Sequence, residues 1–368
     1  MDFNVKSCVK SGVYNDLYEI ASSDVDFSKL KGSTVLVTGA YGFLGFYLTA
    51  SLLLRNDLYS DNCKVIALVR NKEKAEQRFG RLLQRDDFTL CVKDVTKPIQ
   101  AEHADFIIHA AGHADALHFK TDPAGTADAN LSGTSNVLEF ARLSKSKSVL
   151  IISSLKIYGV IYGDKEKISE DDIGYIDFAL PGNCYAMSKR AAETLAADYC
   201  DEFGTNVKIA RPAYIYGAAR RGDDRVWAQF FNNAANGQDI LLKSDGCAKR
   251  SFIYITDAVS ALFTILLNGE NAVPYNIADD SSNVTIREFV KKICELLPEK
   301  SLRLSFADPA YEPEPEELKT PLNRLPDVLD SSRLKALGWQ PRVDLAQGIK
   351  RSVSTTEELY NPPKYSAG

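Results

Sequence analysis

From Thr34 to about residue 212, short continuous apolar runs alternate with longer amphipathic stretches. Residues 35–37, 64–69, 89–92, 105–109, 149–152 and 207–210 read as buried strands, and 46–54, 72–83, 127–143 and 185–203 as helices between them. Strands apolar on both faces, alternating with helices, predict an α/β fold built on a parallel sheet covered on both sides. Right-handed crossovers make that sheet doubly wound. Beyond 215 the pattern loosens into short strands (252–255, 275–277), helices (226–236, 257–268, 286–297) and a Pro/Glu-rich loop at 308–315. The expected organisation is an N-terminal extension (1–30), a nucleotide-binding domain (31–215) and a smaller mixed lobe (216–368) interleaved with it. A short helix at 14–20 is expected to pack on the domain or dimer surface.

Composition narrows the function. A chain of 368 residues, 45% apolar and 25% charged, is an ordinary globular mix. A net charge of −5 gives no electrostatic case for nucleic acid. No apolar run is long enough to span a bilayer, and the charged first thirty residues do not read as a signal peptide. The seven cysteines are scattered without a CxxC pair, so the simplest reading is a reduced, cytoplasmic protein.

The first strand runs into Thr38-Gly39-Ala40-Tyr41-Gly42-Phe43-Leu44-Gly45. Glycines at 39, 42 and 45 suit a tight turn, a close backbone approach to a pyrophosphate, and helix-on-strand packing. The helix that follows offers free N–H groups to phosphate. Tyr41, Phe43 and Leu44 belong to the same cofactor turn. Arg70, at the end of the second strand, suits the 2′-phosphate of NADP, where an acid would hold the ribose of NAD. The cofactor is therefore NAD or NADP, tilted toward NADP. Asp94 and Val95 are placed to meet the adenine, and Ala110-Ala111-Gly112 leaves room beside the fourth strand. His109, His113 and His118 invite a metal reading, but Gly112 breaks the segment and no HExxH is present, so no metal site is expected.

Tyr185 and Lys189 lie four apart at the start of a helix, on one face. A nearby ammonium would lower the phenol's pKa from about 10 and make Tyr185 a usable acid/base. Lys189 could also hold the nicotinamide ribose. Ser153 and Ser154 end the strand at 149–152, and a serine there would bind the reacting substrate oxygen.

The motifs TGAYGFLG, DV at 94–95, HAAG, NLSGT, SSLKIYG, YAMSK, ARPAYIYG, RSFIYITDA, YNIAD and LGWQP together resemble the extended short-chain dehydrogenases/reductases, in the NAD-dependent epimerase/dehydratase family. The resemblance covers about residues 33–342. It implies a Rossmann domain with bound NAD(P), a C-terminal lobe that grips a nucleotide sugar, and a homodimer formed through a helical bundle. It marks Ser154, Tyr185 and Lys189 as catalytic. It adds Asn130, Ser153, Arg211 and Pro212 to the cofactor residues, and Arg250 as a pyrophosphate ligand. Arg225 is a further candidate for substrate contact. Two positions depart from the family pattern. Lys156 stands two residues after Ser154, where dehydratases carry an acid, and Tyr214 stands where many relatives carry a phosphate-binding Asn. Lys156 is either a solvated lysine or a contact for an anionic group.

Chemistry of the 4-epimerase type through a 4-keto intermediate is the expected activity. An NADPH-dependent keto-sugar reductase is the nearest alternative, followed by a dehydratase or decarboxylase. A non-catalytic NADP-binding regulator would have no need of Ser154, Tyr185 and Lys189.

Overall fold

The computed structural model describes residues 3–112, 114, 116–220, 222–308 and 325–360. Two helices, α1 (Val5–Cys8) and α2 (Ser11–Ala21), precede the sheet. In chain order there follow β1 (Thr34–Thr38), α3 (Phe43–Tyr59), β2 (Lys64–Val69), α4 (Lys72–Phe79), β3 (Phe88–Val92), β4 (Phe106–His109), α5 (Ala116–Thr121), α6 (Pro123–Ser144), β5 (Ser148–Ile152), α7 (Cys184–Phe203) and β6 (Val207–Pro212). The remainder comprises β7 (Tyr214–Tyr216), α8 (Val226–Ala235), β8 (Ile240–Leu242), β9 (Lys249–Tyr254), α9 (Ile255–Asn268), β10 (Pro274–Ile277), β11 (Asn283–Thr285), α10 (Ile286–Leu296), β12 (Leu304–Phe306), α11 (Ser332–Lys335) and α12 (Leu345–Tyr360).

Seven parallel strands form one sheet in the order β10-β6-β5-β4-β1-β2-β3. The apolar runs are strands because both their faces are covered: β5 is buried at every position. The chain order reverses between β1 and β4, which is where a doubly wound sheet opens its ligand crevice. β10 comes from the C-terminal half yet forms one edge of this sheet, its backbone in register with β6 from Pro274↔Ile209 to Ile277↔Pro212. The small sheet β11-β9-β7 and the pair β12-β8 complete the C-terminal lobe.

The N-terminal extension is not a surface ornament. Val13, Leu17, Ile20 and Ala21 of α2 are buried. Asp16 is buried too, taking hydrogen bonds from the Tyr254 and Tyr47 hydroxyls and an ion pair from Arg351 on α12. Helix α12 has no counterpart among the sequence-predicted elements; its buried face consists of Gly348, Ile349, Ser352, Val353, Thr355 and Thr356, most of them small or polar. Packed on α2, it gives the extension a second wall and draws it into the core. The strands β7, β8, β11 and β12 also escape the pattern, having only three residues each. His113, and the Pro/Glu-rich loop from 309 onward, lie outside the described residues.

Candidate active site

The glycine turn is shaped by backbone proximity. Gly39 has φ +66°, and a Cβ there would lie 2.8 Å from the Ala110 carbonyl oxygen. A Cβ on Gly45 would come within 2.3 Å of the Gly39 oxygen. Both positions therefore require glycine. Gly42 caps α3, whose first turn (Phe43, Leu44, Gly45) directs N–H groups into the crevice. Gly39, Tyr41, Gly42, Ala110, Ala111 and Gly112 line one cleft, with Arg70, Lys93, Asp94 and Val95 at its far end. Asp94 is held below the usual carboxylate range, chiefly by the Thr96 N–H, and Arg70 adds to this. The Val95 side chain packs against Gly133 of α6. The Thr38 hydroxyl accepts from the Ala111 N–H at 3.1 Å and lies 2.8 Å from His109 Nδ1, tying the ends of β1 and β4 together. Burial pushes His109 down to about 3, so its ring is neutral. Among the described residues no group of three or more His, Cys, Asp or Glu gathers as metal ligands would.

At the near end of this cleft, Lys189 Nζ lies 3.8 Å from where a Gly112 Cβ would be. Asn130 donates to the Ser188 hydroxyl at 2.9 Å, and its buried Oδ1 has no hydrogen-bond partner. The Ser153 hydroxyl is buried and likewise unpartnered. A glycine cradle at a helix N-terminus, cations at one end, and an ammonium with orphaned polar atoms at the other fit a dinucleotide.

Ser154 is near enough to Tyr185 to pull its phenol's pKa down. Ser154 Oγ also caps the short 3₁₀ turn at 155–158, accepting from Lys156 N at 3.2 Å. Arg190, one residue past Lys189, donates to the Ile157 carbonyl at 2.5 Å and to those of Tyr158 and Gly174. It pins the turn carrying Ser154 onto α7. Phe119 of α5 stacks on the Tyr185 ring at 4.6 Å and 19°. Neither Arg190 nor Phe119 carries a sequence signal for this role, since each acts through a contact distant in sequence.

The electrostatics differ from expectation. Lys189 donates to the Ile152 carbonyl at 2.8 Å, and burial brings it down to about 8. The Tyr185 phenol is raised, not lowered. Burial outweighs the pull of Ser154 and the charge of Lys156, the cation that acts on it.

Lys156, Asp327, Asn183 and Ala186 line a second cleft with Tyr175 and Asp177. Tyr214 and Arg250 stand beside Lys156, with the Arg250 guanidinium 4.4 Å above the Tyr214 ring. Two other candidates are occupied elsewhere. Arg211 pairs with Glu193 and donates to Tyr158 OH and the Glu170 carbonyl, bracing the end of β6, where Pro212 is the last residue. Arg225 pairs with Asp223 and sits between the rings of Phe43 and Trp227, at 4.3 and 4.4 Å.

Residues 35–278 match the model of the NAD dependent epimerase/dehydratase family. The chain belongs to this family. It is 31% identical to UDP-glucuronic acid decarboxylase 2 of Arabidopsis thaliana over 326 residues, 87% of this chain and 67% of that protein. Its fold matches UDP-glucuronic acid 4-epimerase from Bacillus cereus, solved with UDP-glucuronic acid and NAD, with TM-score 0.70 and 20% identity over 89% of this chain and all of that one. The dTDP-glucose 4,6-dehydratase of Bacillus anthracis, solved with NAD, matches with TM-score 0.71 at 20% identity over 89% of this chain and 97% of that one. Like the other members of the epimerase/dehydratase family, this extended short-chain dehydrogenase/reductase is an enzyme.

Proposed function

We propose that this enzyme epimerises a nucleotide sugar at C4 through a 4-keto intermediate. The observation that carries this reading is the buried Tyr185 with the Lys189 ammonium 5.9 Å from its ring centre, Lys189 lying beside Gly112 of the cofactor cleft. Ser154 holds the C4 oxygen, and the Tyr185 phenolate takes its proton as the C–H bond is oxidised. Bound NAD(P) supplies the hydride acceptor. Lys189 anchors the nicotinamide ribose and keeps positive charge near the phenolate. Inversion would be completed when the hydride held by the bound cofactor returns to the opposite face of C4 and Tyr185 gives its proton back to the C4 oxygen, with no net change in cofactor. Lys156 stands where dehydratases carry the acid for elimination, and an ammonium cannot serve as that carboxylic acid.

Decarboxylation is the second reading, favoured by the 31% identity to a UDP-glucuronic acid decarboxylase. Both readings share the C4 oxidation, so product analysis separates them. Purified enzyme incubated with NAD and a panel of UDP- and dTDP-linked hexoses and hexuronic acids should give a C4 epimer by NMR, without net NADH. Tyr185→Phe should abolish turnover while cofactor binding survives. A pentose product would establish the decarboxylase, and a strict need for added NADPH the reductase. Turnover unchanged in Tyr185→Phe would refute the catalytic assignment.

A further inference from the structure

The second cleft carries more negative than positive charge. Among the described residues that line it, Asp177 and Asp327 are the acids and Lys156 is the one base. That ammonium is already committed. Lys156 Nζ lies 3.0 Å from Asp327 Oδ2, and Tyr214 OH donates to the same oxygen at 2.9 Å. Arg250 covers the Tyr214 ring from 4.4 Å and stands behind it rather than on the cleft wall. Asp327 is fixed in place: its carbonyl accepts from the Ser251 N–H of β9 at 2.9 Å, and Leu329 just beyond it donates to the Ser251 hydroxyl at 3.0 Å.

We propose that the sugar taken by this cleft is a neutral hexose, and that Asp327 is the specificity-determining residue that turns hexuronic acids away. The inference deepens the proposed C4 chemistry and rests on the reading of this cleft as the seat of the sugar.

The argument starts from the sugar ring. C4 reacts at Tyr185, and C5, which carries C6, is bonded to C4. The C6 group therefore stays in the cleft whose wall beside Tyr185 is Ala186, Leu155 and Lys156. A hydroxyl on C6 can donate to a carboxylate. A carboxylate on C6 meets Asp327 and Asp177 as like charges. To receive it, Lys156 would have to leave Asp327, and the Asp327 side chain, only 17% exposed, would lose its counter-ion. Burial by itself would favour the protonated acid at Asp327. The charge and hydrogen bond of Lys156, with Tyr214 and Arg250, outweigh it and hold the carboxyl below the usual range, so the negative charge persists at neutral pH.

The test is calorimetric binding to the Tyr185→Phe protein loaded with NAD or NADP, in which no turnover alters the ligand. The ligands are UDP, UDP-glucose, UDP-galactose and the two matching UDP-hexuronic acids. Each neutral sugar should bind at least about ten-fold tighter than its uronic acid. Added Asp327→Asn should shrink that ratio to about three-fold or less, because it frees Lys156 for the C6 carboxylate, whereas Lys156→Met should widen it. Asp177→Asn, at an exposed position, should also narrow the ratio and serves where the Asp327 variant fails to fold. A uronic acid that binds as tightly as its neutral partner would overturn the proposal. So would an unchanged ratio in Asp327→Asn with both sugars weakened alike, which is what a purely structural strut would give. Binding of none of the five ligands would instead overturn the nucleotide-sugar reading itself, and this inference with it.

Discussion

At the scale of single residues, the site is a contest between burial and charge. Tyr185 is buried, and desolvation alone would leave it protonated across the physiological range. Ser154 and Lys156 oppose that, while Lys189 is held by a backbone carbonyl. At the other end of the cofactor cleft Arg70 and Lys93 stand near a single acid, Asp94. This balance suits a 2′-phosphate. Replacing Arg70 with Ala should weaken NADPH binding by about ten-fold and leave NADH nearly unaffected, measured by fluorescence titration of each dinucleotide. Equal losses for both would assign Arg70 to the shared part of the cofactor.

Among the elements, the 3₁₀ turn at 155–158 and α7 act as one body. Ser154 begins the turn and Tyr185 begins the helix, so their contact depends on how the two are joined. Arg190 joins them through three backbone carbonyls, of which that of Tyr158 also accepts from the Gly174 N–H at 3.0 Å. Arg190→Met should therefore lower kcat by at least ten-fold while the dinucleotide dissociation constant stays unchanged, with a stability loss of about 2 kcal/mol. Steady-state kinetics and cofactor titration on one preparation would separate the two effects. The motifs RSFIYITDA and LGWQP also meet as elements: Trp339 donates to the Ser260 hydroxyl at 3.0 Å, and Asp257 accepts from the N–H groups of Arg342 and Val343. Their task is to dock the chain's last segments onto α9.

Over the whole molecule, that docking has a pH signature. Burial raises Asp257 to about 7, against the Arg342 and Val343 hydrogen bonds that oppose it. The folded protein thus keeps a proton that the unfolded chain releases near 4. The stabilisation from this group is complete below about pH 4 and is lost as pH rises through 7. The melting temperature should fall as pH rises from about 4.5 to 7.5, and Asp257→Asn should flatten that fall, as read by calorimetry. An identical slope in the variant would show that other groups govern it. The N-terminal helix belongs to this scale too. Its short apolar stripe reads equally well as a surface helix, and its packing against α3, α9 and, from the far end of the chain, α12 makes it core.

Sequence by itself determined the parallel sheet, the glycine turn and the Tyr185–Lys189 helix, because each rests on local periodicity or on a backbone angle that one residue type can take. It also marked Lys156 and Tyr214 as unusual. Tertiary structure alone decided which partner those two residues share, Asp327. Asp327 lies more than a hundred residues beyond Tyr214, in a stretch without periodicity, and ion pairs are made by distance in space. The same holds for Phe119 on Tyr185, for Arg211 bracing Glu193, and for the direction of the Tyr185 shift, since burial is a property of the folded molecule.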